Sequence, residues 1–562
     1  MPAQPRSSRQ LGDVIGAAGA GACAIWHRYG TRLALVLAGM LCLLSLSHES
    51  LLLIDAPYDI YIPLNAGLRW LQGALPSRDY PSPIGLLYAA VHGLALSFDG
   101  TDARSVLRAD VAILALSYLL LWPNMRGLAG TTWATILIML AGMMMTPLAL
   151  DASWGSYRYV ADYNRWAWAF YAVALVWTCN PAGRGRLSDI TLSIALCCLL
   201  YLKLTVFAGA VLTLAAGCFN DRRIADYIMP CVVVLLAIGG GVASGVLVAY
   251  LRDNLAIGGA TGSVRLGKLI VQFAAPYNVV PLLLAVALCF IRALPRRFRF
   301  LPLYCISIQH AVGLQNFDVM VPLTGVPLLL LKPKLVWPDA RIFRPVLVGI
   351  PALCQALYLF GVSGVALAWQ PSAARLTHAQ SISGAGTLGE RILTSTLPAA
   401  DAGIHHGDLA FADDVIVHDM QRAQDLLGRL PVGTRVATLE VSNVAAAAWP
   451  RVHPSTGGLL WYDDGRSFSD VFHPSPDQAF AGADIILVPL RFTTASTQKL
   501  VALYRPWLDK CATVIAANEL WALYRPVTVS TEVNGGPIST PPTGQSSQSL
   551  SSDPVCTILA RP

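Results

Sequence analysis

Residues 54–85 read Ile54-Asp55-Ala56-Pro57-Tyr58-Asp59-Ile60-Tyr61-Ile62-Pro63-Leu64-Asn65-Ala66-Gly67-Leu68-Arg69-Trp70-Leu71-Gln72-Gly73, then Ala74-Leu75-Pro76-Ser77-Arg78-Asp79-Tyr80-Pro81-Ser82-Pro83-Ile84-Gly85. The stretch stands between two apolar runs. Within it Leu64, Leu68, Leu71 and Leu75 recur at spacings of three and four, which is one face of a helix. With Arg69 and Trp70 beside that face, the pattern predicts a helix over 61–75 lying in a membrane interface. Pro76, Pro81 and Pro83 then hold an extended turn. Asp55, Asp59 and Asp79 are thereby presented at a lipid–water boundary.

On either side of this segment the chain is apolar. Of its 562 residues 55% are hydrophobic and only 13% charged, against about 25% charged in a typical soluble domain. The deficit is confined to the first ~370 residues, where apolar runs of roughly 17–25 residues recur, each long enough to span a bilayer. Candidate spans are 32–54, 82–98, 106–123, 131–150, 164–179, 190–202, 204–219, 227–250, 269–291, 301–317, 319–331 and 343–368. The expected fold is a polytopic α-helical membrane protein of about 11–13 spans with a small C-terminal α/β soluble domain. Its expected parts are a cytoplasmic tail (1–31), a transmembrane module (32–369) with an outer loop at 55–81, a periplasmic α/β domain (370–526) and a Ser/Pro/Gly-rich tail (527–562).

Positive loops belong in the cytoplasm. The basic ones are the N-terminus, Arg184/Arg186, Arg222/Arg223, Arg292 to Arg299 and Lys332/Lys334/Arg341. They place 151–165, 251–268, 314–318 and everything after 369 outside. Twelve spans would return the C-terminus to the cytoplasm, so an odd number is needed. The surplus is expected within 82–150, as a re-entrant run or half-helix. The net charge of +7 sits in these loops, so it reads as topology and not as a nucleic-acid surface. The expected location is a bacterial inner (plasma) membrane, with the N-terminus cytoplasmic and the C-terminal domain periplasmic or extracellular.

There are 12 cysteines and no CxxC pair. Ten lie in the apolar part, where Cys behaves as a small apolar residue. Cys511 and Cys556 lie beyond it and could pair in an oxidising compartment; free thiols are the alternative.

The quoted stretch resembles the GT-C superfamily of integral-membrane glycosyltransferases. The residues that carry the resemblance are Asp59 (or Asp55) just after the first span, the helix from Ala66 to Gly73, and Arg78-Asp79-Tyr80 leading to Gly85. It implies a GT-C-like fold and inverting transfer of a sugar from a polyprenyl-phosphate donor to a glycan or glycolipid acceptor at the non-cytoplasmic face. It also implies a loop carboxylate near the acceptor. A carboxylate can take the proton of an acceptor hydroxyl as the new bond forms, hold a divalent metal, or orient the acceptor. Asp59 is the first choice for this role, Asp55 the second, and Asp79 a support for the loop or acceptor site. The alternative for all three is a solvated loop acid.

Other candidates surround this one. Arg158 and Arg165 flank Asp162 in an aromatic-rich outer segment. Either arginine could bind a phosphate leaving group, and Asp162 could serve the acceptor. An interface belt with snorkelling arginines is the alternative. Lys203 lies amid apolar residues at a cost of roughly 2.5–3.5 kcal/mol on the insertion scale, so it must face a cavity, a partner or phosphate headgroups. Arg265 and Lys268, in a glycine-rich loop, could contact the donor phosphate. The near-match to a P-loop there fails because Leu269 stands where Ser or Thr must bind magnesium. His310 is a further candidate for acceptor or support, or a packed histidine. No metal-ligand pair recurs, and the need for a cofactor stays open.

After 370 the pattern alternates. Residues 435–441, 483–489 and 512–516 read as strands, 415–429 and 497–509 as helices, and 518–524 as a final edge strand. The Trp461-Tyr462-Asp463-Asp464-Gly465-Arg466 stretch is a candidate saccharide-contacting loop, or a plain turn. A non-enzymatic lipid or glycan transporter or flippase is the competing function. It would need a polar pathway across the membrane, whereas the charges cluster at one face.

Overall fold

A computed structural model describes residues 29–53, 57–100, 102–145, 162–221, 224–260, 276–292, 294, 296–315, 323–330, 350–376, 378–394, 413–464, 467–492 and 494–527. It is mostly helical, with a small β region near the C-terminus. Three of the described helices are long and apolar enough to cross a membrane: Tyr29–Ser47, Ser105–Met125 and Ala225–Ala243.

The chain opens with α1 (Tyr29–Ser47) and β1 (Leu51–Leu53), then a 3-10 turn (Pro57–Ile60) that runs straight into α2 (Tyr61–Leu71). After α3 (Leu86–Asp99) and α4 (Ser105–Leu121) come α5 (Gly130–Met145), α6 (Asp162–Cys179), α7 (Arg186–Leu200), α8 (Leu204–Asp221) and α9 (Ala225–Ala243). Next are α10 (Val246–Ala260), α11 (Pro276–Phe290), α12 (Arg296–Gln315), a single turn at Val326–Leu329, and α13 (Ile350–Leu376).

Polar contacts fix the helix directions. Asp110 meets Trp166 near one end of the bundle, and Asn124 meets Asn180 near the other, so α4 and α6 run parallel. Lys203 reaches Asn164 while Trp177 reaches Asp189, so α7 runs back along α6. Residues 162–166 and 201–203 thus define an upper end. Asn124, Asn180 and Arg184 define the lower one.

Against this frame α3 does not run through the bundle. The Gly85 and Leu87 amides donate to the carbonyls of Leu202 and Tyr201, at the upper break between α7 and α8. These bonds satisfy donors that a helix start leaves open. At the other end of α3 the Gly100 carbonyl accepts from Trp449 of the C-terminal region (3.1 Å). Both ends therefore lie at the upper end, and α4 descends from there. The run at 82–98, read from sequence as a candidate span, lies across the bundle. Gly85 is required at its start, because a Cβ there would sit 2.1 Å from the Tyr201 carbonyl oxygen.

α2 packs along α3 with little between the backbones. A Cβ on Gly67 would approach the His92 backbone to 2.9 Å, and one on Gly93 would strike the Trp70 ring. The sequence predicts α2 to lie open in the interface. Instead its residues from Tyr61 to Arg69 are all buried, between α3 and the C-terminal region. Leu64 and Leu68 of the expected stripe are buried against protein, whereas Leu71, where the helix expected to reach 75 ends, is 42% exposed.

Two other expectations are corrected. The run 227–250 breaks at Ser244–Gly245, where Gly245 takes φ +73°, giving α9 and α10. The expected outer loop 251–268 is therefore helical as far as Ala260. Within α10, Asp253 accepts from the Ser82 amide (3.0 Å) and Tyr250 donates to the Leu202 carbonyl (3.1 Å).

The C-terminal region begins with β2 (Gln380–Ser381) and β3 (Ile392–Thr394). β3 pairs in parallel with β1, so the exit of α1 and the exit of α13 are tied into one sheet. After α14 (Asp413–Leu427) follow β4 (Thr434–Thr438), β5 (Val452–Pro454), β6 (Ile485–Pro489), α15 (Ala495–Cys511), β7 (Ala512–Ala517) and β8 (Trp521–Pro526). Their order is β5-β4-β6-β8-β7, parallel across the first three and antiparallel across the rest. All five residues of β6 are buried, as expected of a continuous apolar run covered on both faces. α15 inserts Leu500, Tyr504, Trp507 and Leu508 beneath the sheet, one stripe of the helical period. The strand expected at the edge, β8, is interior; β7 is the edge, with Val514 and Ile515 exposed. Cys511 is disulfide-bonded; Cys556, with which it could pair, lies outside the described residues.

One side chain ties this region to the helices. Arg69 on α2 is buried. Its guanidinium donates to the carbonyls of Gly457 (2.8 Å) and Gly458 (3.1 Å), its Nε to Asn65 (3.1 Å), and it lies 4.4 Å over the Tyr80 ring. Burial lowers its pKa from the ordinary guanidinium value. Tyr61 adds a hydroxyl contact to the Met420 sulfur. Replacing Arg69 with Met leaves those carbonyls unpaired in a dry interface, at a cost of about 3 kcal/mol for lost charge-assisted bonds. Arg69→Met is expected to lower the melting temperature and to speed proteolysis of the C-terminal region in the intact protein. Lysine at this position restores little, because it lacks the planar fork.

Candidate functional site

The upper end of the bundle holds a cluster of polar side chains in an apolar setting. Its centre is Asp162, fully buried at the start of α6, where a negative charge suits the helix dipole. Oδ1 accepts from the Tyr88 hydroxyl (2.7 Å) and from the Tyr163 amide (2.9 Å). Oδ2 lies 3.3 Å from Nε2 of His92. Tyr88 and His92 are four residues apart on α3, hence on the same face. That face is turned onto α6 because α3 lies across the bundle.

A second buried acid adjoins the first. Asp110 on α4 accepts from the Trp166 indole (2.6 Å), and His92 stacks on that same indole at 4.8 Å between ring centroids. Arg165 stands on α6 between Asn164 and Trp166. Lys203, at the break between α7 and α8, donates to the Asn164 amide oxygen and lies 4.4 Å over the Tyr163 ring. Trp461 of the C-terminal region faces Tyr163 from above, with ring centroids 6.4 Å apart and planes 28° apart. The cluster thus has a buried acidic floor and a half-buried rim of Tyr163, Arg165, Lys203 and Trp461.

The sequence-predicted residues distribute as follows. Asp162, Arg165 and Lys203 are brought together here. Asp59 lies half-buried in the 3-10 turn before α2 and has a bonded or electrostatic partner. Asp79 is turned into its own loop, accepting from the Leu75 amide (2.7 Å) and from Arg78 (2.8 Å). His310 is buried on α12, with Nδ1 against the Ile306 carbonyl of its own helix. Asp55, Arg158, Arg265 and Lys268 lie outside the described residues.

Tyr88, His92, Asp110 and Trp166 were not singled out from the sequence. One signal was present: Asp110 is an ionisable residue inside an otherwise apolar run, which is costly unless it is partnered. For His92 the sequence carried no such signal, since a lone histidine in an apolar run is ordinarily just packed. Among the described residues no three His, Cys, Asp or Glu side chains converge as metal ligands do. Chemically the cluster can hold a negative charge beside the Tyr88 hydroxyl and the His92 ring, and present two cations to an anion at the rim.

Comparisons with family models, with curated proteins and with solved structures find no match.

Removing the Asp162 carboxylate leaves the Tyr88 hydroxyl and the Tyr163 amide without their acceptor in a buried site. Asp162→Ala is expected to cost about 3 kcal/mol, the scale for leaving two buried donors unpaired. Asp162→Asn, which keeps one acceptor oxygen, is expected to cost less. Thermal unfolding of the purified protein separates the two; equal and negligible shifts would contradict this account of the cluster.

Proposed function

We propose that the chain is an integral-membrane glycosyltransferase of the GT-C type. It moves a sugar from a polyprenyl-phosphate donor to a glycan or glycolipid acceptor on the outer face of a bacterial inner membrane. The observation that carries this reading is a coincidence at one end of the bundle. The turn bearing Asp59 is held there between two anchors, β1 paired to β3 and α2 latched by Arg69. Lys203, Arg165 and the C-terminal region meet at the same end.

Several features support a membrane setting. α1, α8 and α9 expose Val36, Met40, Leu43, Leu212, Phe219, Leu235 and Leu236. Apolar surface on that scale calls for lipid or a partner. With α3 set aside, the twelve apolar runs become eleven, the odd number that puts the first loop and the C-terminus on one side. Arg126 and Arg184 lie at the lower end, which the positive-inside rule makes cytoplasmic. The disulfide at Cys511 suits an oxidising compartment on the upper side.

In the reaction the Asp59 carboxylate, with Asp55 as second choice, accepts the acceptor hydroxyl's proton or orients that hydroxyl. The oxygen attacks the anomeric carbon as the bond to phosphate breaks, which inverts the centre. The departing lipid phosphate keeps the electron pair, and Lys203 and Arg165 stabilise its charge.

Two experiments test this. Asp59→Asn is expected to reduce label transfer from radiolabelled polyprenyl-phosphate sugars by about 10²-fold or more, the contribution of general-base catalysis, with membrane yield unchanged. Unchanged transfer would move the role to Asp55; no transfer by the wild type from any donor sinks the proposal. For topology, cysteines at Ser97 and Val471 are expected to react with an impermeant maleimide from one side of sealed vesicles, and one at Arg186 only from the other. Labelling of Ser97→Cys and Val471→Cys from opposite sides would mean that α3 crosses.

A further inference from the structure

Cys511 ends α15 where β7 begins, and it is buried among Trp507, Leu508, Ala522 and Tyr524 of the C-terminal region. It is disulfide-bonded. Eight of the twelve cysteines are free thiols, which leaves Cys23, Cys354 and Cys556 as partners. A disulfide needs Cα atoms within about 7 Å of each other. Cys23 precedes α1, whose first turn lies at the lower end, where the Thr31 hydroxyl donates to the Gly130 carbonyl (3.4 Å). The whole of α1, about 28 Å of helix, separates that end from the C-terminal region. Cys354 lies near the start of α13, about 33 Å of helix below its exit at Leu376. Neither comes within bonding distance of a residue seated under the sheet, and Cys556 remains.

The same residue marks an open sheet edge. β7 pairs with β8 on one side and, among the described residues, with no strand on the other. It holds neither charge nor proline, and Val514 and Ile515 are exposed. A bare apolar edge of this kind is a template for another strand. The chain also leaves the sheet at this spot, for the Val527 amide donates to the Cys511 carbonyl (2.8 Å). Further on, the polar stretch 544–552 gives way to Val555-Cys556-Thr557-Ile558-Leu559, a run of residues that favour strands. We propose that Cys511 is bonded to Cys556 and that residues 555–559 lie along β7 as an added strand. Backbone hydrogen bonds then cover the edge, and the disulfide holds the segment to it. Forming the S–S bond removes two protons and two electrons from the two thiols. Thiol–disulfide exchange passes both to an oxidised disulfide in the surrounding compartment, which leaves as two thiols. The edge is therefore closed where such an oxidant is present and open in a reducing compartment. This holds whether or not the chain transfers sugar, because neither Cys511 nor β7 belongs to the cluster around Asp162.

The test uses the full chain in lipid nanodiscs. Non-reducing digestion and mass spectrometry are expected to find the Cys511 peptide joined to the Cys556 peptide, in a chain that runs as a monomer on a non-reducing gel, and dithiothreitol is expected to release both. A link from Cys511 to Cys23, to Cys354 or to a second copy of the chain overturns the proposal. Coverage of the edge is read by hydrogen–deuterium exchange over residues 512–517. Cys556→Ser is expected to remove protection there while β6 keeps its own. Adjacent amides of a strand point to opposite sides, so one of Thr557→Pro and Ile558→Pro removes a bond to β7. That variant is expected to speed exchange over 512–517 with the disulfide still formed. Exchange over 512–517 that none of the three substitutions changes overturns the added strand. So does an increase that spreads equally to β6, since the whole sheet would then have loosened and not its edge.

Discussion

Arg69 is the interaction on which the arrangement of this protein depends. A guanidinium buried without a carboxylate is costly, and here backbone carbonyls of the Gly457–Gly458 turn stand in for the missing anion. Carbonyl dipoles can do this only if they point inward together, and the tight turn after β5 makes them do so. The side chain therefore couples two things that are far apart in the chain, the first loop and the crossover before β6. Once α2 is held this way, α3 follows, because Gly67 and Gly93 bring the two helices into near backbone contact.

The position of α3 then decides the chemistry beneath it. A helix that ran through the bundle would carry Tyr88 and His92 to different depths along α6. Lying across it, α3 delivers both to Asp162 at one level. The polar groups of α4, α6 and the α7–α8 break converge on the same level, because those helices share one end. A layered order results: bundle end, α3, α2, then the sheet of the C-terminal region. Trp461 reaches past these layers to meet Tyr163, and there the sheet region and the bundle share a surface.

Much of the secondary structure was legible beforehand. The strands near 435–441, 483–489 and 512–516 and the helices near 415–429 and 497–509 fall where short apolar runs and helical spacing put them, since both are local patterns. Asp162 and Lys203 were legible as candidates because a charge near an apolar run has to be explained. What failed were statements about surroundings. Leu64 and Leu68 of α2 marked a buried face, yet burial in lipid and burial in protein look alike to a hydrophobic period. Loop charge asked for one run within 82–150 that does not cross, but composition does not report which. β8 has strand residues but no mark of being interior.

The amino-acid sequence by itself determined the apolar character of the chain, the helix after Asp59, the break at Lys203 and the alternating elements beyond residue 413. Each follows from side chains a few positions apart. Only the tertiary structure decided that α3 turns aside, that Arg69 is a buried latch and that His92, Asp110 and Asp162 form one cluster. Those facts depend on groups brought together from positions up to about four hundred residues apart, by backbone approaches that glycines permit and by hydrogen bonds that the partner segment must supply.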